Sequence, residues 1–204
     1  LSLSLYGAKK RTTSFSCAFN FVSLHAKVRL SGENTKLKPA FVFIFERKYL
    51  MKVQKMIPLN LPSYPIKVRK AGHRDYVLDV LRRKYVALTP EEWVRQHFIH
   101  YLIKQKHYPA ALLANEVKLQ VGDKVLRADS VLYSTSLQPR MIIEYKAPQI
   151  QITQKTFDQI CVYNLLLHAD YLVVSNGLQH YVCKMDYARQ SYVFLEDIPD
   201  YQNI

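Results

Sequence analysis

The chain has 204 residues, 49% of them hydrophobic and 22% charged, enough for one core that hides about 70% of the unfolded surface. Its 5 glycines and 9 prolines exclude a collagen-like or low-complexity chain, and apolar runs such as Phe41-Val42-Phe43-Ile44-Phe45 fall far short of the ~20 residues that cross a bilayer. Lys and Arg number 29 against 16 Asp and Glu, which points to a polyanion such as nucleic acid, with an ordinary solubility excess as the plain alternative.

The excess is uneven along the chain. Residues 1–50 hold 9 basic side chains, with Glu33 and Glu46 as their two acids. This segment, rich in Ser, Lys and Phe, keeps neither a 3.6 nor a 2.0 hydrophobic period. It reads as a basic N-terminal extension, and because it opens on Leu1, the expected start of the protein is Met51 or Met56. The folded domain is expected over residues 51–204. Cys17, Cys161 and Cys183 are far apart, odd in number and form no C-x-x-C pair, which fits a reducing, cytoplasmic setting.

From Ile57 onward the pattern sharpens. Pro58, Pro62 and Pro65 keep the lead-in extended, and Ile66–Arg69 and Tyr76–Val80 flank Ala71-Gly72-His73-Arg74 as a hairpin. In Thr89-Pro90-Glu91-Glu92-Trp93, Thr is a good cap, Pro suits the first helical position and Glu92 completes a T-x-x-E capping box. A helix is predicted from Pro90 to about Gln105, with Val94, Phe98, Tyr101 and Leu102 as its apolar stripe. The period then changes to two. Glu116–Val121 and Val125–Tyr133 read as a hairpin around Gly122-Asp123-Lys124, and Arg140–Tyr145 as a third strand. A second helix is predicted over Thr153–His168, then a buried strand Tyr171–Ser175, a turn at Asn176-Gly177, its partner Gln179–Met185 and an edge strand at Tyr192–Leu195.

Acids on the central strands carry the chemistry. Alternation puts Asp129 on one face with Arg127 and Val131, and puts Glu144 and Lys146 together with Ile142. Acids among Val and Ile cost desolvation and call for a metal ion or a partner charge. The plain reading of Glu144-x-Lys146 alone is a surface ion pair. Gln159 and Tyr163 stand four apart on one helix face.

Asp129, then Glu144-Tyr145-Lys146 and then Gln159-x-x-x-Tyr163 resemble the PD-(D/E)XK nuclease superfamily. Thr89-Pro90-Glu91-Glu92-Trp93-Val94-Arg95-Gln96, Glu144-Tyr145-Lys146-Ala147-Pro148, Phe157-Asp158-Gln159 and Tyr171 to Tyr181 resemble, more narrowly, the N-terminal nuclease domain of type I restriction enzyme R subunits in its short stand-alone form. The resemblance implies an α/β fold, a restriction-endonuclease-like mixed central sheet flanked by helices. It also implies hydrolysis of DNA phosphodiesters with Mg²⁺, or Mn²⁺ in its place, leaving a 5′-phosphate and a 3′-hydroxyl. Asp129 and Glu144 would hold the metal with the Tyr145 carbonyl, Lys146 would orient or help deprotonate the attacking water and offset phosphate charge, and Gln159 and Tyr163 would meet the DNA.

A third acid is expected from the first helix. On a wheel of roughly 100° per residue, Glu91 falls inside the Val94–Phe98–Leu102 stripe and Glu92 outside it. Glu91 is therefore given a place in the metal shell, through water, and Glu92 its capping task, with helix-dipole stabilisation or pairing with Arg95 as the plain alternative for Glu91. Arg127, Lys118, Lys124 and Arg140 are candidate phosphate contacts. Ala128 stands in the motif's proline position, and Ser130 follows Asp129 where the family carries an apolar residue. The glycines form no G-x-x-x-x-G-K-[ST], so the chain holds no phosphate loop for an ATP-driven motor. Expected partners are DNA and either a motor or specificity subunit or a second copy, with no membrane. The competing functional reading is a catalytically silent nucleic-acid-binding or assembly module of the same fold.

Overall fold

The computed structural model describes residues 56–204; the basic extension and Met51 lie outside the described residues. Beyond the extended lead-in, a three-stranded antiparallel sheet comprises β1 (Val68–Ala71), β2 (Arg74–Asp79) and β3 (Lys84–Ala87). The first two strands are the predicted hairpin around Gly72-His73. The third was not foreseen: four residues are too short a run to show a period, and β3 is set by pairing of Val86 with Val77.

Helix α1 (Pro90–Lys104) starts and stops where its signals lie. Thr89 stays extended, its Oγ1 accepts the Glu92 N–H at 3.0 Å, and Gln105 closes the other end. A six-stranded sheet follows, built from β4 (Leu113–Val121), β5 (Lys124–Tyr133), β6 (Pro139–Tyr145), β7 (Tyr171–Ser175), β8 (His180–Asp186) and β9 (Ser191–Leu195), ordered as in the chain. Only β6 and β7 are parallel, and parallel neighbours need a crossover. Helix α2 (Gln154–Leu167) supplies it.

The two helices cover opposite faces of this sheet. Val94, Phe98 and Leu102 of α1 pack with Met141, Ile143 and Val173, while Phe157 and Ile160 of α2 pack with Val131, Ile142 and Leu172. Met141 to Tyr145 are therefore buried on both sides, which explains a continuous apolar run rather than an alternating one. The result is the expected mixed central sheet flanked by helices. Gly177 adopts φ +79°, and a Cβ there would stand 2.7 Å from Leu59 Cδ2. This close approach lets Asn60 donate its N–H to the Gly177 carbonyl at 2.7 Å, fixing the lead-in over the β7–β8 turn. At the far end of α1, Tyr108 Oη donates to the Pro199 carbonyl at 2.9 Å and Ile198 is buried. No helix among the described residues is long and apolar enough to cross a membrane.

Candidate active site

Antiparallel register builds the site. Ser130 lies opposite Ile143, so one step along each strand brings Asp129 of β5 beside Glu144 of β6. The Tyr145 N–H donates to Asp129 Oδ2 at 2.9 Å. Lys146, just past the end of β6, donates from Nζ to Glu144 Oε1 at 2.7 Å and to Gln159 Oε1 at 3.0 Å. Gln159 in turn donates from Nε2 to Glu144 Oε1 at 2.7 Å and to Tyr163 Oη at 2.9 Å. Asp129, Glu144, Lys146, Gln159 and Tyr163 thus come together as the sequence predicts.

The electrostatics are those of crowded acids. Glu144 is only 3% exposed. Burial, and then the Asp129 charge, raise its pKa to about 7 against the pull of Lys146. Its second oxygen, Oε2, is buried and has no hydrogen-bond partner among the described residues. Burial works against the Lys146 charge, but the bond to Glu144 and the charges of Glu144, Asp129 and Glu91 outweigh it and hold the amine protonated. Glu91 also sits within this field: burial and then Asp129 push its carboxyl upward.

The assignment of the two helix acids needs correction. Glu91 is not in the buried stripe; its side chain is 45% exposed, while Glu92 is the buried one at 9%. Glu92 does more than cap: Oε2 accepts from Arg95 Nη1 at 2.7 Å and Oε1 from Gln96 Nε2 at 2.8 Å. The wheel fails because α1 is buried round most of its circumference, Val94 to Ile99 without a break, so no narrow stripe discriminates.

Arg95 is the residue that local spacing undervalued. Read as a partner for Glu91, it meets that carboxylate only at 3.9 Å. Its short bonds go to Glu92, to Glu116 Oε1 at 2.6 Å and to Asp129 Oδ1 at 2.7 Å. Burial opposes its charge, but Asp129, Glu92 and Glu116 prevail and keep it fully protonated. Glu116 reaches this hub from an unusual backbone, φ 59° in the middle of β4, a conformation non-glycine residues rarely hold without compensation. An arginine aimed inward beside two helix acids was the available signal; its strand partners lie too far along the chain for spacing to reveal.

Ser130 is fully buried, and its Oγ donates to Asn115 Oδ1 at 2.6 Å while Asn115 Nδ2 donates to Asp79 Oδ2 at 2.9 Å. The hydroxyl therefore joins a polar relay from β5 to β2, which accounts for the departure from an apolar residue. Arg127 is 64% exposed and paired with Glu116 Oε2 at 2.6 Å, so it touches the cluster only through that acid. Lys118 is exposed opposite Arg127, and Arg140 is paired with Asp170 at 3.1 Å.

Among the described residues, no three His, Cys, Asp or Glu side chains are grouped closely enough to hold a metal ion as they stand. Magnesium is commonly held by one or two carboxylates with waters completing its shell, so a pair meets the requirement. Glu144 Oε2, buried and unpartnered beside Asp129, is the oxygen a hard cation would satisfy.

Residues 90–199 match the family described as "Type I restriction enzyme R protein N terminus". A solved fragment assigned to the HsdR subunit of a type I restriction enzyme from Vibrio vulnificus YJ016 is 18% identical, with a TM-score of 0.39 over 55% of this chain and 24% of that one. The chain thus spans about a quarter of that fragment. No curated protein matches it.

Proposed function

This chain belongs to the type I restriction enzyme R protein N terminus family, and we propose that it is a restriction-related, Mg²⁺-dependent deoxyribonuclease of the PD-(D/E)XK type. The observation that carries this reading is the buried, unpartnered Glu144 Oε2 beside Asp129, with a protonated Lys146 on the other oxygen. Asp129, Glu144 and the Tyr145 carbonyl would hold the cation, with Glu91 reaching it through water. When bound, the metal supplies positive charge against the phosphoryl oxygens and favours ionised water.

The chain's own groups do the rest. Arg95 and the Tyr145 N–H each hold one oxygen of Asp129, so the carboxylate is aimed before substrate arrives. Lys146 is a cation in this field, which fits orienting the attacking water and offsetting charge on the phosphate better than accepting a proton. Gln159 ties Lys146 and Glu144 to α2 and hands the line of bonds on to Tyr163, where a DNA strand would run. DNA, and a motor or specificity subunit or second copy, are the partners this reading implies.

The test is cleavage of supercoiled, linear and single-stranded DNA with and without Mg²⁺, beside Asp129→Ala, Glu144→Gln and Lys146→Ala. Each substitution is expected to lower the rate at least ~100-fold while the protein stays folded. Metal-independent cleavage, or cleavage that survives in Glu144→Gln, would refute the reading. Salt-sensitive DNA binding with no cleavage by the unaltered chain would favour the silent binding module.

A further inference from the structure

We propose that the outer face of the β1–β3 sheet is a docking surface for the phosphodiester backbone of nucleic acid, set beside the acidic cluster and separate from it. The choice of nucleic acid as the polyanion rests on the nuclease reading; the surface itself does not. This sheet precedes residues 90–199, where the family match lies.

Register sorts the side chains. Arg69 lies opposite Tyr76, Ala71 opposite Arg74 and Leu78 opposite Tyr85, and Lys67 accepts the Leu78 N–H on its carbonyl at 2.9 Å. Directly opposed residues share a face, so Lys67, Arg69, Arg74, Tyr76 and Tyr85 stand on one side. The other side carries Val77 and Asp79, both fully buried. The exposed face therefore presents three cations and two aromatic rings, without an acid.

Among the described residues Arg69 and Arg74 on this sheet's outer face are in no ion pair, whereas Arg95, Arg127, Arg140 and Arg189, the arginines of residues 90–204, are all paired. Residues 66–87 hold 7 basic and 2 acidic side chains, and one of the acids, Asp79, is buried and paired with Arg82; the rest of the described chain holds 11 basic and 12 acidic. The whole net positive charge of the described residues is thus on the small sheet. The Arg69 guanidinium lies 4.1 Å from the Tyr85 ring centroid and 6.0 Å from that of Tyr76. Stacking holds its fork in place without spending the charge on a carboxylate. Cations interleaved with aromatic rings are the chemistry that follows a nucleic-acid strand.

The sheet is also tied to the cluster. The Asp79–Asn115–Ser130 relay ends on the neighbour of Asp129, and the Val80 N–H donates to Gln96 Oε1 at 3.3 Å while Gln96 holds Glu92. A strand held on the outer face would thus be held in fixed relation to the catalytic strands.

The experiment uses the full chain in EDTA, so that no cleavage occurs. Single-stranded and duplex oligonucleotides carrying 5-bromodeoxyuridine are crosslinked by light and the crosslinked peptides mapped by mass spectrometry. Binding is followed by anisotropy from ~50 to ~200 mM salt for the unaltered chain, for Lys67→Ala/Arg69→Ala/Arg74→Ala and for the control Lys155→Ala/Lys184→Ala. Crosslinks in residues 67–87 are expected, with the triple variant binding at least ~10-fold more weakly and its log–log salt slope shallower by about 2–3, while the control stays within twofold. The arm that binds more tightly identifies single strand or duplex. Crosslinks confined to other residues, a triple variant within twofold of the unaltered chain, or binding to anionic lipid vesicles with none to either oligonucleotide would each overturn the proposal. Crosslinking at the sheet by a chain that never cleaves DNA would overturn the nuclease reading and leave the surface standing.

Discussion

Arg95 shows how much one buried charge can organise. At 3% exposure it is the shared counter-ion of Glu92, Glu116 and Asp129, and among the described residues none of these acids has another cation so close except Glu116, which also binds Arg127. Removing one partner from a buried ionic group leaves the others uncompensated, at a cost of about 3–5 kcal/mol. Arg95→Met is therefore expected to lower the unfolding free energy, measured by chemical denaturation at neutral pH, by that amount. Arg95→Lys should recover part of it, because one ammonium cannot match a fork that reaches two strands and its own helix at once. Equal stability of Arg95→Met and the unaltered chain would show that the acids are solvated rather than held.

Elements place these groups by their ends and registers. Helix α1 is anchored where Thr89 Oγ1 accepts the Glu92 N–H, one residue from Glu91 and one turn from Arg95. Loss of such a cap costs about 1 kcal/mol. Thr89→Ala is expected to lower stability by that much in chemical denaturation, while Thr89→Ser stays near the parent. An unchanged midpoint in Thr89→Ala would mean that β3 and the helix's buried face fix the start without the hydroxyl. The sheet contributes in the same way: pairing of Ser130 with Ile143 decides that Asp129 and Glu144 are neighbours, and a slip of one residue between the two strands would turn one acid away from the other, onto the opposite face of the sheet.

For the molecule as a whole, the cluster lowers the stability of the metal-free fold as pH rises. Glu144 has its pKa raised from 4.5 to about 7 by burial and by Asp129. Between those values the native state binds more protons than the unfolded chain, so unfolding free energy falls with increasing pH. Near pH 8 the penalty is on the order of 1–3 kcal/mol. In EDTA, Glu144→Gln is expected to melt above the parent near pH 8, with the difference shrinking toward pH 5. Mg²⁺ at about tenfold above its Kd should raise the parent's stability by about 1.4 kcal/mol, more near pH 8 than near pH 6 because the proton competes for Glu144, and should leave Glu144→Gln unmoved. A magnesium-induced stabilisation of equal size in Glu144→Gln would place the ion elsewhere.

Local physical chemistry made much of this legible before any coordinates. The Thr-Pro-Glu-Glu start of α1, the period-two hairpin around Gly122, the Ile-rich β6 and the helix carrying Gln159 and Tyr163 are all short-range signals, and each element lies within a few residues of its prediction. Alternation alone put Glu144 and Lys146 on one face. What the sequence could not determine is long-range: β3 pairs only because β2 is there, Glu91 and Glu92 exchange burial because α1 is packed round most of its surface, and Arg95 finds Glu116 and Asp129 across gaps that no helical or strand period connects. Hydrogen bonds and ion pairs between distant segments form after the chain has closed its loops, so only the tertiary structure decides which acids share a cation and which oxygen is left without one.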